Sequence, residues 1–355
     1  MEKIRVAVLG ATGLVGQRFV QLLYNHPWFE LEVLTASEQR VGLKYSEAVH
    51  WMWSQDPPEE VSEIRVSRTS YESVKDVDIV FSALPSSIAA SVEVELAKRG
   101  KIIVSNTSSF RMDSDVPLIN PEVNYEHLKL IEVQREKRGW EGFIVKNPNC
   151  TTAILTLTLK PLLDEYGVSS VRVSTMQALS GAGYRGVYSM DIIDNIIPYI
   201  KEEEEKVHRE TKKILGVLED KRVEYSGIKV SASCHRVPVL EGHLESVFVE
   251  LNKRPESLNE VIRSFEEFKS KPQKLKLPTA PIHPVIVRRE IDRPQPRFDR
   301  IVERGMSVVV GRVRWSETSD KEIKYLVLGS NTIRGAAGAA VLIAELLKVE
   351  GYLNL

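Results

Sequence analysis

Residues 4–16 constrain the fold more tightly than any other stretch of the chain. Ile4-Arg5-Val6-Ala7-Val8-Leu9 is a short, β-branched apolar run closed by a glycine, the pattern of a buried strand. Gly10-Ala11-Thr12-Gly13-Leu14-Val15-Gly16 follows at once. Gln17 to Tyr24 then reads as a helix, apolar at Phe19, Val20, Leu22 and Leu23, which stops near Pro27. The glycines permit a tight turn and a close backbone approach, and the free amides at the helix start face the place where a pyrophosphate would sit. The rhythm continues through strand-like runs at Leu31–Ala36, Asp78–Leu84, Ile102–Ser105 and Phe143–Val145, with a helix over Ile88–Arg99. Strands alternating with helices predict an α/β fold with a Rossmann-like, doubly wound parallel sheet.

After about residue 152 the pattern changes. Long strand-like runs at Val171–Gln177, Lys229–Val237, His243–Leu251, Met306–Val313 and Glu322–Leu328 suit a mostly antiparallel sheet in a second, α+β domain. Helices at about 190–216 and 257–269 would cover one of its faces. The proline-rich stretch from Pro278 to Arg297 reads as extended loop. A final helix, Thr332 to Lys348, begins with glycines and alanines and is expected to return to the first domain. The expected division is therefore 1–150, completed by 331–355, for the first domain and 151–330 for the second. A chain of 355 residues fits two domains.

The bulk numbers narrow the function classes. A net charge of −1 gives no global basic field for nucleic acid or a membrane surface. No apolar stretch reaches the length of a membrane span. Two cysteines argue for a reducing, cytoplasmic setting and against a disulfide scaffold. No metal site is expected.

Of those two cysteines, Cys150 lies in Lys146-Asn147-Pro148-Asn149-Cys150-Thr151-Thr152, between an apolar strand and an apolar helix. A thiol at a helix N-terminus feels the positive end of the peptide dipoles, so its pKa is expected to fall. Cys234 has His235 beside it, but in a strand consecutive side chains point to opposite faces, so Cys234 reads as a core thiol. A thiolate that attacks a carbonyl also needs an acid/base and a place for the oxyanion. His26, His50 and His127 show no evident partner in the sequence; His208 lies in a charged helix and His283 in the proline-rich stretch. His243 follows Gly242 and starts a strand. From the residues alone it is either the catalytic base or a structural histidine. Ser180-Gly181-Ala182-Gly183 is a second glycine-rich loop, either a plain turn or the seat of a nicotinamide ribose. At the end of the second strand, Ser37 and Arg40 suit a ribose 2′-phosphate, which favours NADP over NAD. Glu38 between them leaves two readings: it turns away, or the site also takes NAD.

Taken in order, Gly10–Gly16, Ser105–Arg111, Asn147–Thr152, Gln177, Ser180–Gly183, His235-Arg236-Val237 and Glu241-Gly242-His243 resemble the aspartate-semialdehyde dehydrogenases of the archaeal and fungal type. The resemblance runs nearly the whole chain; its specific parts are the cysteine motif and the Arg236-to-His243 spacing. It implies that Cys150 is the nucleophile, His243 the general acid/base and Gln177 the group that orients the acyl intermediate. Arg236 would clamp the substrate carboxylate in bidentate fashion. Arg111 would hold phosphate, with Asn149 helping to hold phosphate or the oxyanion. Glu203 would meet the substrate ammonium, and Lys206, one helical turn on, the phosphate. Cofactor contacts would come from Gly10, Thr12, Gly13, Leu14, Val15, Ser37, Arg40, Ser82, Ser180, Gly181, Gly183, Asn331 and Thr332. The implied reaction is the reversible NADP-dependent reduction of L-aspartyl 4-phosphate to L-aspartate 4-semialdehyde and phosphate, within lysine, threonine, methionine and isoleucine biosynthesis. A homodimer or homotetramer is implied as well. Two rivals stand beside it: a coenzyme A-dependent reductase similar to malonyl-CoA reductase, and a non-catalytic NADP-binding protein. N-acetylglutamyl-phosphate reductases fit less well, because their cysteine motif generally carries glycine where Asn149 stands.

Overall fold

Six parallel strands form the first sheet: β1 (Ile4–Leu9), β2 (Phe29–Ala36), β3 (Ser67–Arg68), β4 (Ile79–Ser82), β5 (Ile102–Ser105) and β6 (Phe143–Lys146). Their spatial order is β3-β2-β1-β4-β5-β6. The computed structural model of the chain describes residues 3–53 and 56–353. The order reverses direction between β1 and β4, so a crevice opens beyond the carboxyl ends of those two strands, the place where open α/β sheets bind ligands. Helix α1 (Leu14–Leu23) leaves β1 through the glycine turn and starts three residues earlier than the sequence pattern suggests. Gly10 has φ +74°, and a Cβ there would lie 2.6 Å from the Ala83 carbonyl oxygen. A Cβ on Gly16 would lie 2.2 Å from the carbonyl oxygen of Gly10. Both glycines are therefore required to bring α1 down onto the crevice.

Helices α2 (Ser86–Lys98) and α3 (Leu130–Arg138) complete the crossovers, and α4 (Cys150–Tyr166) leads into the second half of the fold. Its strands are β7 (Val168–Gln177), a small hairpin of β8 (Val217–Glu219) and β9 (Arg222–Glu224), then β10 (Lys229–Arg236), β11 (His243–Leu251), β12 (Val285–Arg288), β13 (Val308–Trp315) and β14 (Glu322–Gly329). The large sheet runs β10-β7-β11-β14-β13-β12. The three central pairings are antiparallel, and the outer two, β10 with β7 and β12 with β13, are parallel. Strand β12 lies inside the proline-rich stretch, which the composition marks as loop. As an edge strand it keeps only four residues free of proline for pairing.

Three helices pack around these elements: α5 (Glu203–Ile214), α6 (Leu258–Glu267) and α7 (Gly338–Val349). The expected helix over 190–216 is broken. A short turn covers Ser189–Ile192, Pro198 interrupts, and Glu202 takes a left-handed φ of +59° just before α5 begins. The final helix opens with a π-helical turn at Ile333–Ala337 before α7. Leu342, Ile343, Leu346 and Leu347 of α7 are fully buried and join Val6, Val8, Phe19 and Phe81 in the core of the first sheet. Each such side chain contributes about 1.5–3 kcal/mol of burial, which holds the chain's last helix beneath its first strand. A second core, between α4 and the large sheet, includes Leu155, Leu159, Val173, Val247 and Val327. No helix among the described residues is long and apolar enough to cross a membrane.

Candidate active site

The carboxyl ends of β6, β7 and β10 and the first residue of β11 converge at the start of α4. Alternation on the large sheet makes one row of its inner face polar: Arg236 pairs in register with Gln177, and His243 starts the next strand over. The two rows behind it turn progressively apolar, from Cys234, Thr175 and Glu245 to Val173, Val247 and Tyr325. The candidate site residues thus sit where the core of the second half ends.

Asn149 caps α4, its Oδ1 accepting the amide of Thr152 at 3.1 Å. Cys150 is the first helical residue, and its Sγ lies 3.3 Å from Nε2 of His243. The amide of Ala178 donates to Nδ1 of the same ring at 3.1 Å. In a neutral imidazole that assigns the proton to Nε2, so His243 presents a donor to the sulfur. Gly335 lies against the thiol-bearing residue: a Cβ there would be 2.5 Å from Cβ of Cys150. Gly181 plays the same part opposite, where a Cβ would fall 2.6 Å from Nη1 of Arg236 and 3.2 Å from Nε2 of His243.

Electrostatics differ from the sequence expectation at the thiol. Burial, with the Glu203 carboxylate adding to it, pushes Cys150 up to about 12, against the pull of Arg236, the Thr151 amide and Arg111. Desolvation outweighs the helix-start dipole that the sequence brings to mind. Burial, reinforced by Arg236, also holds His243 down to about 3. The pair is a neutral thiol beside a neutral imidazole.

Arg111, Asn149, Cys150, Gln177, Gly181, Glu203, Lys206 and Arg236 line one cavity of about 460 Å³, with Val15 of the glycine turn on its wall. Glu203 Oε1 accepts from Asn149 Nδ2 at 2.9 Å, Gln177 Nε2 at 3.1 Å and Thr151 Oγ1 at 3.2 Å. Arg236 Nη1 donates to the Ala178 carbonyl at 2.7 Å. Arg111 Nη1 donates to Glu210 at 2.9 Å and its Nη2 to the Asn106 carbonyl at 2.7 Å, while its Nε has no partner among the described residues. Lys206 lines the cavity, with its ammonium 3.9 Å from Glu202.

The residues proposed for the cofactor fall into three places. Gly10, Thr12, Gly13, Leu14 and Val15 form the turn at the crevice. Gly13 caps α1 without a side chain, and the buried hydroxyl of Ser82, at the end of β4, has no partner among the described residues. An amide-lined turn that no Cβ obstructs, with an orphaned hydroxyl beside it, fits a dinucleotide pyrophosphate. Ser37 and Arg40 bound a 3-10 turn after β2, outside the cavity. Between them Glu38 pairs with Arg68 of β3 at 2.8 Å, turned toward that strand. Ser180 and Gly183 line a second cavity of about 600 Å³. Asn331 is tied to the Ser180 loop at 2.8 Å and accepts the Gly242 amide at 2.9 Å. Thr332 is spent on Glu241 and on Arg18. These two bonding patterns brace the loop and the start of β11.

Some groups escape the sequence reading. Glu210 and Lys213 continue the inward face of α5 begun by Glu203 and Lys206. Their spacing of three and four residues is helical, but the surrounding run of charges resembles a solvated face. Lys146 is fully buried and donates to Glu93 at 2.5 Å and to Ser105 and Thr107 at 2.8 Å, supporting the cavity wall at Thr107. His26 and His127, for which the sequence shows no partner, are buried against Glu345 at 2.9 Å and Asn124 at 2.9 Å. Cys234 is buried, as its strand position requires.

Comparison with known proteins agrees with this geometry. The family model described as the NAD binding domain of semialdehyde dehydrogenase matches residues 5–131, and the one described as its dimerisation domain matches 159–334. An aspartate-semialdehyde dehydrogenase of Archaeoglobus fulgidus is 55% identical over 342 residues, covering 96% of this chain and 97% of the relative. A malonyl CoA reductase (NADP) of Metallosphaera sedula is 41% identical, covering 99% of this chain and 98% of the relative. The crystal structure of a Candida albicans aspartate semialdehyde dehydrogenase with NADP superimposes with a TM-score of 0.90 at 40% identity, over 99% of each chain. The chain belongs to the semialdehyde dehydrogenase family and, within it, to the aspartate-semialdehyde dehydrogenases.

Proposed function

We propose that the chain catalyses the reversible, NADP-dependent interconversion of L-aspartyl 4-phosphate with L-aspartate 4-semialdehyde and phosphate. The observation that carries this reading is the contact of Cys150 Sγ with His243 Nε2 at 3.3 Å, in a cavity that also holds Arg236 and, separately, Arg111 with Lys206. Two anion sites flanking one nucleophile suit a substrate with a carboxylate at one end and a phosphoryl group at the other.

In the reducing direction the Cys150 sulfur attacks the acyl carbon, the C–O bond to phosphate breaks, and the thiol proton leaves with the departing group as hydrogen phosphate. The thioester that forms splits one hard displacement into two easier steps. Gln177 orients the substrate or acyl intermediate, Asn149 helps to hold phosphate or the developing oxyanion, and Arg236 fixes the carboxylate. NADP, when bound at the glycine turn, supplies the hydride chemistry that interconverts thioester and thiohemiacetal. His243 Nε2–H is placed to protonate the developing oxyanion, a solvent proton replacing the one it gives; as the thiohemiacetal collapses, its hydroxyl proton passes through the same nitrogen to the departing sulfur, giving aldehyde and thiol. Ser37 and Arg40 favour the 2′-phosphate of NADP, and the Glu38–Arg68 pair removes the carboxylate that would favour NAD. The active unit is taken as a homodimer or homotetramer built on the large sheet, in keeping with the dimerisation-domain match; a monomer in sedimentation at assay concentration would contradict that.

The purified protein with L-aspartate semialdehyde, NADP and inorganic phosphate is expected to produce NADPH, measured by absorbance. Coenzyme A in place of phosphate is expected to give no sustained turnover. Turnover with coenzyme A alone would move the assignment to the acyl-CoA reductases.

A further inference from the structure

We propose that Glu210 is a positioning residue: it presets Arg111 and the Asn149 amide, and it moderates how tightly the phosphoryl group is held. This inference rests on the reading that Arg111 faces phosphate. Glu210 is almost fully buried, and its two oxygens are divided between two elements. Oε1 accepts from Arg111 Nη1 at 2.9 Å, and Oε2 accepts the backbone amide of Asn149 at 2.7 Å. One carboxylate therefore links the anion-binding arginine to the residue that caps the nucleophile's helix.

One helical turn further along α5, Lys213 grips the loop from the other side. Its ammonium donates to the carbonyls of Arg111 at 2.8 Å, Asp113 at 2.7 Å and Val116 at 2.8 Å. With its backbone held by Lys213 and its guanidinium by Glu210 and the Asn106 carbonyl, Arg111 has little freedom; Nε has no partner among the described residues, and each terminal nitrogen has a second N–H beyond its cited bond. Such preorganisation lowers the cost of aligning a phosphoryl group at the moment of reaction. It has an electrostatic consequence too. A buried carboxylate on Arg111 offsets much of the arginine's charge, so an incoming phosphate meets less attraction than a free guanidinium would give. Phosphate must be released in one direction of the reaction and bound in the other, and an anion site of moderated strength suits both.

The sign of the effect separates this role from a merely structural one. Glu210→Gln removes the charge and turns an amide donor toward either Arg111 or the Asn149 amide. In steady-state assays of the full-length protein with phosphate varied, Glu210→Gln is expected to lower kcat by about tenfold or more while lowering the KM for phosphate by about threefold or more. Glu210→Asp keeps the charge but draws it back by one methylene, so kcat falls while the phosphate KM stays within about twofold of the parent. A rise in phosphate KM together with the fall in kcat for Glu210→Gln, or no change in either, would overturn the proposal. If Glu210→Gln does not fold, Glu210→Asp decides by the same split, and a lowered phosphate KM in that variant would contradict the charge argument. Arg111→Lys tests the underlying reading separately. If its phosphate KM equals that of the parent, phosphate does not bind at Arg111, and the failure lies there and not with Glu210.

Discussion

Replacing Cys150 with alanine is expected to lower kcat by on the order of 10⁴-fold or more, because the covalent route is lost and no neighbouring group replaces it. The second cysteine cannot substitute. Cys234 lies one row back in the sheet, fully buried, with burial pushing its thiol up to about 12. Cys150→Ser is the sharper variant. It keeps the size and the contact with His243 but offers a hydroxyl, whose proton is harder still to remove at this buried position. A loss close to that of alanine is expected, with the melting temperature within a few degrees of the parent protein. The buried setting of Cys150 adds a second expectation. With the thiol held up to about 12, alkylation of the free protein by iodoacetamide should be slow at pH 7 and should rise about tenfold per pH unit into the alkaline range. Fast alkylation that levels off near pH 7 would show a preformed thiolate and contradict the electrostatic account.

His243→Gln is expected to lower kcat/KM by about 10²- to 10⁴-fold, the usual range for a positioned acid/base. Glutamine can offer a donor to the sulfur, but it cannot exchange a proton with the oxyanion. The pH dependence carries a second sign. Burial and Arg236 hold the folded ring down to about 3, below the value of an unfolded histidine near 6.5. Above about pH 6.5 both states are neutral and His243 adds no pH slope. Between 6.5 and 3 only the unfolded chain takes up the proton, so stability falls with pH by about 1.4 kcal/mol per unit across that window. His127, held down to about 4 chiefly by burial, acts the same way over a narrower range. Denaturation midpoints followed from pH 8 to 5 should drop less in His243→Gln than in the parent. An equal drop in both would mean that the folded ring takes up its proton as readily as the unfolded one, and that the Ala178 amide does not fix its tautomer.

The first half of the fold is legible in the sequence because its punctuation is local. A strand, a glycine turn with two sites that admit no Cβ, and a helix follow one another within twenty residues. Cys150 is legible for the same reason, as an isolated thiol between an apolar strand and an apolar helix. What the sequence hides is set by distant partners. Glu210 meets Arg111 and Asn149 across 99 and 61 residues, and a charge run gives no hint which of its members turn inward. Strand β12 exists because β13 offers it an edge, and its own prolines conceal it. The direction of the Cys150 shift is the clearest case. The helix-start dipole is visible locally, whereas the desolvation that outweighs it comes from groups distant in sequence that pack at the thiol, His243 of β11 and Gly335 among them.

The central claim is that Cys150 carries the acyl group and that phosphate releases it. Mixing the enzyme with L-aspartate semialdehyde and NADP in rapid-mixing experiments without phosphate tests it most directly. The account predicts a burst of one NADPH per active site, a stalled acyl thioester that intact-protein and peptide mass spectrometry place on Cys150, and renewed turnover when phosphate is added. Steady NADPH formation without phosphate, or a burst with no mass added at Cys150, would contradict it.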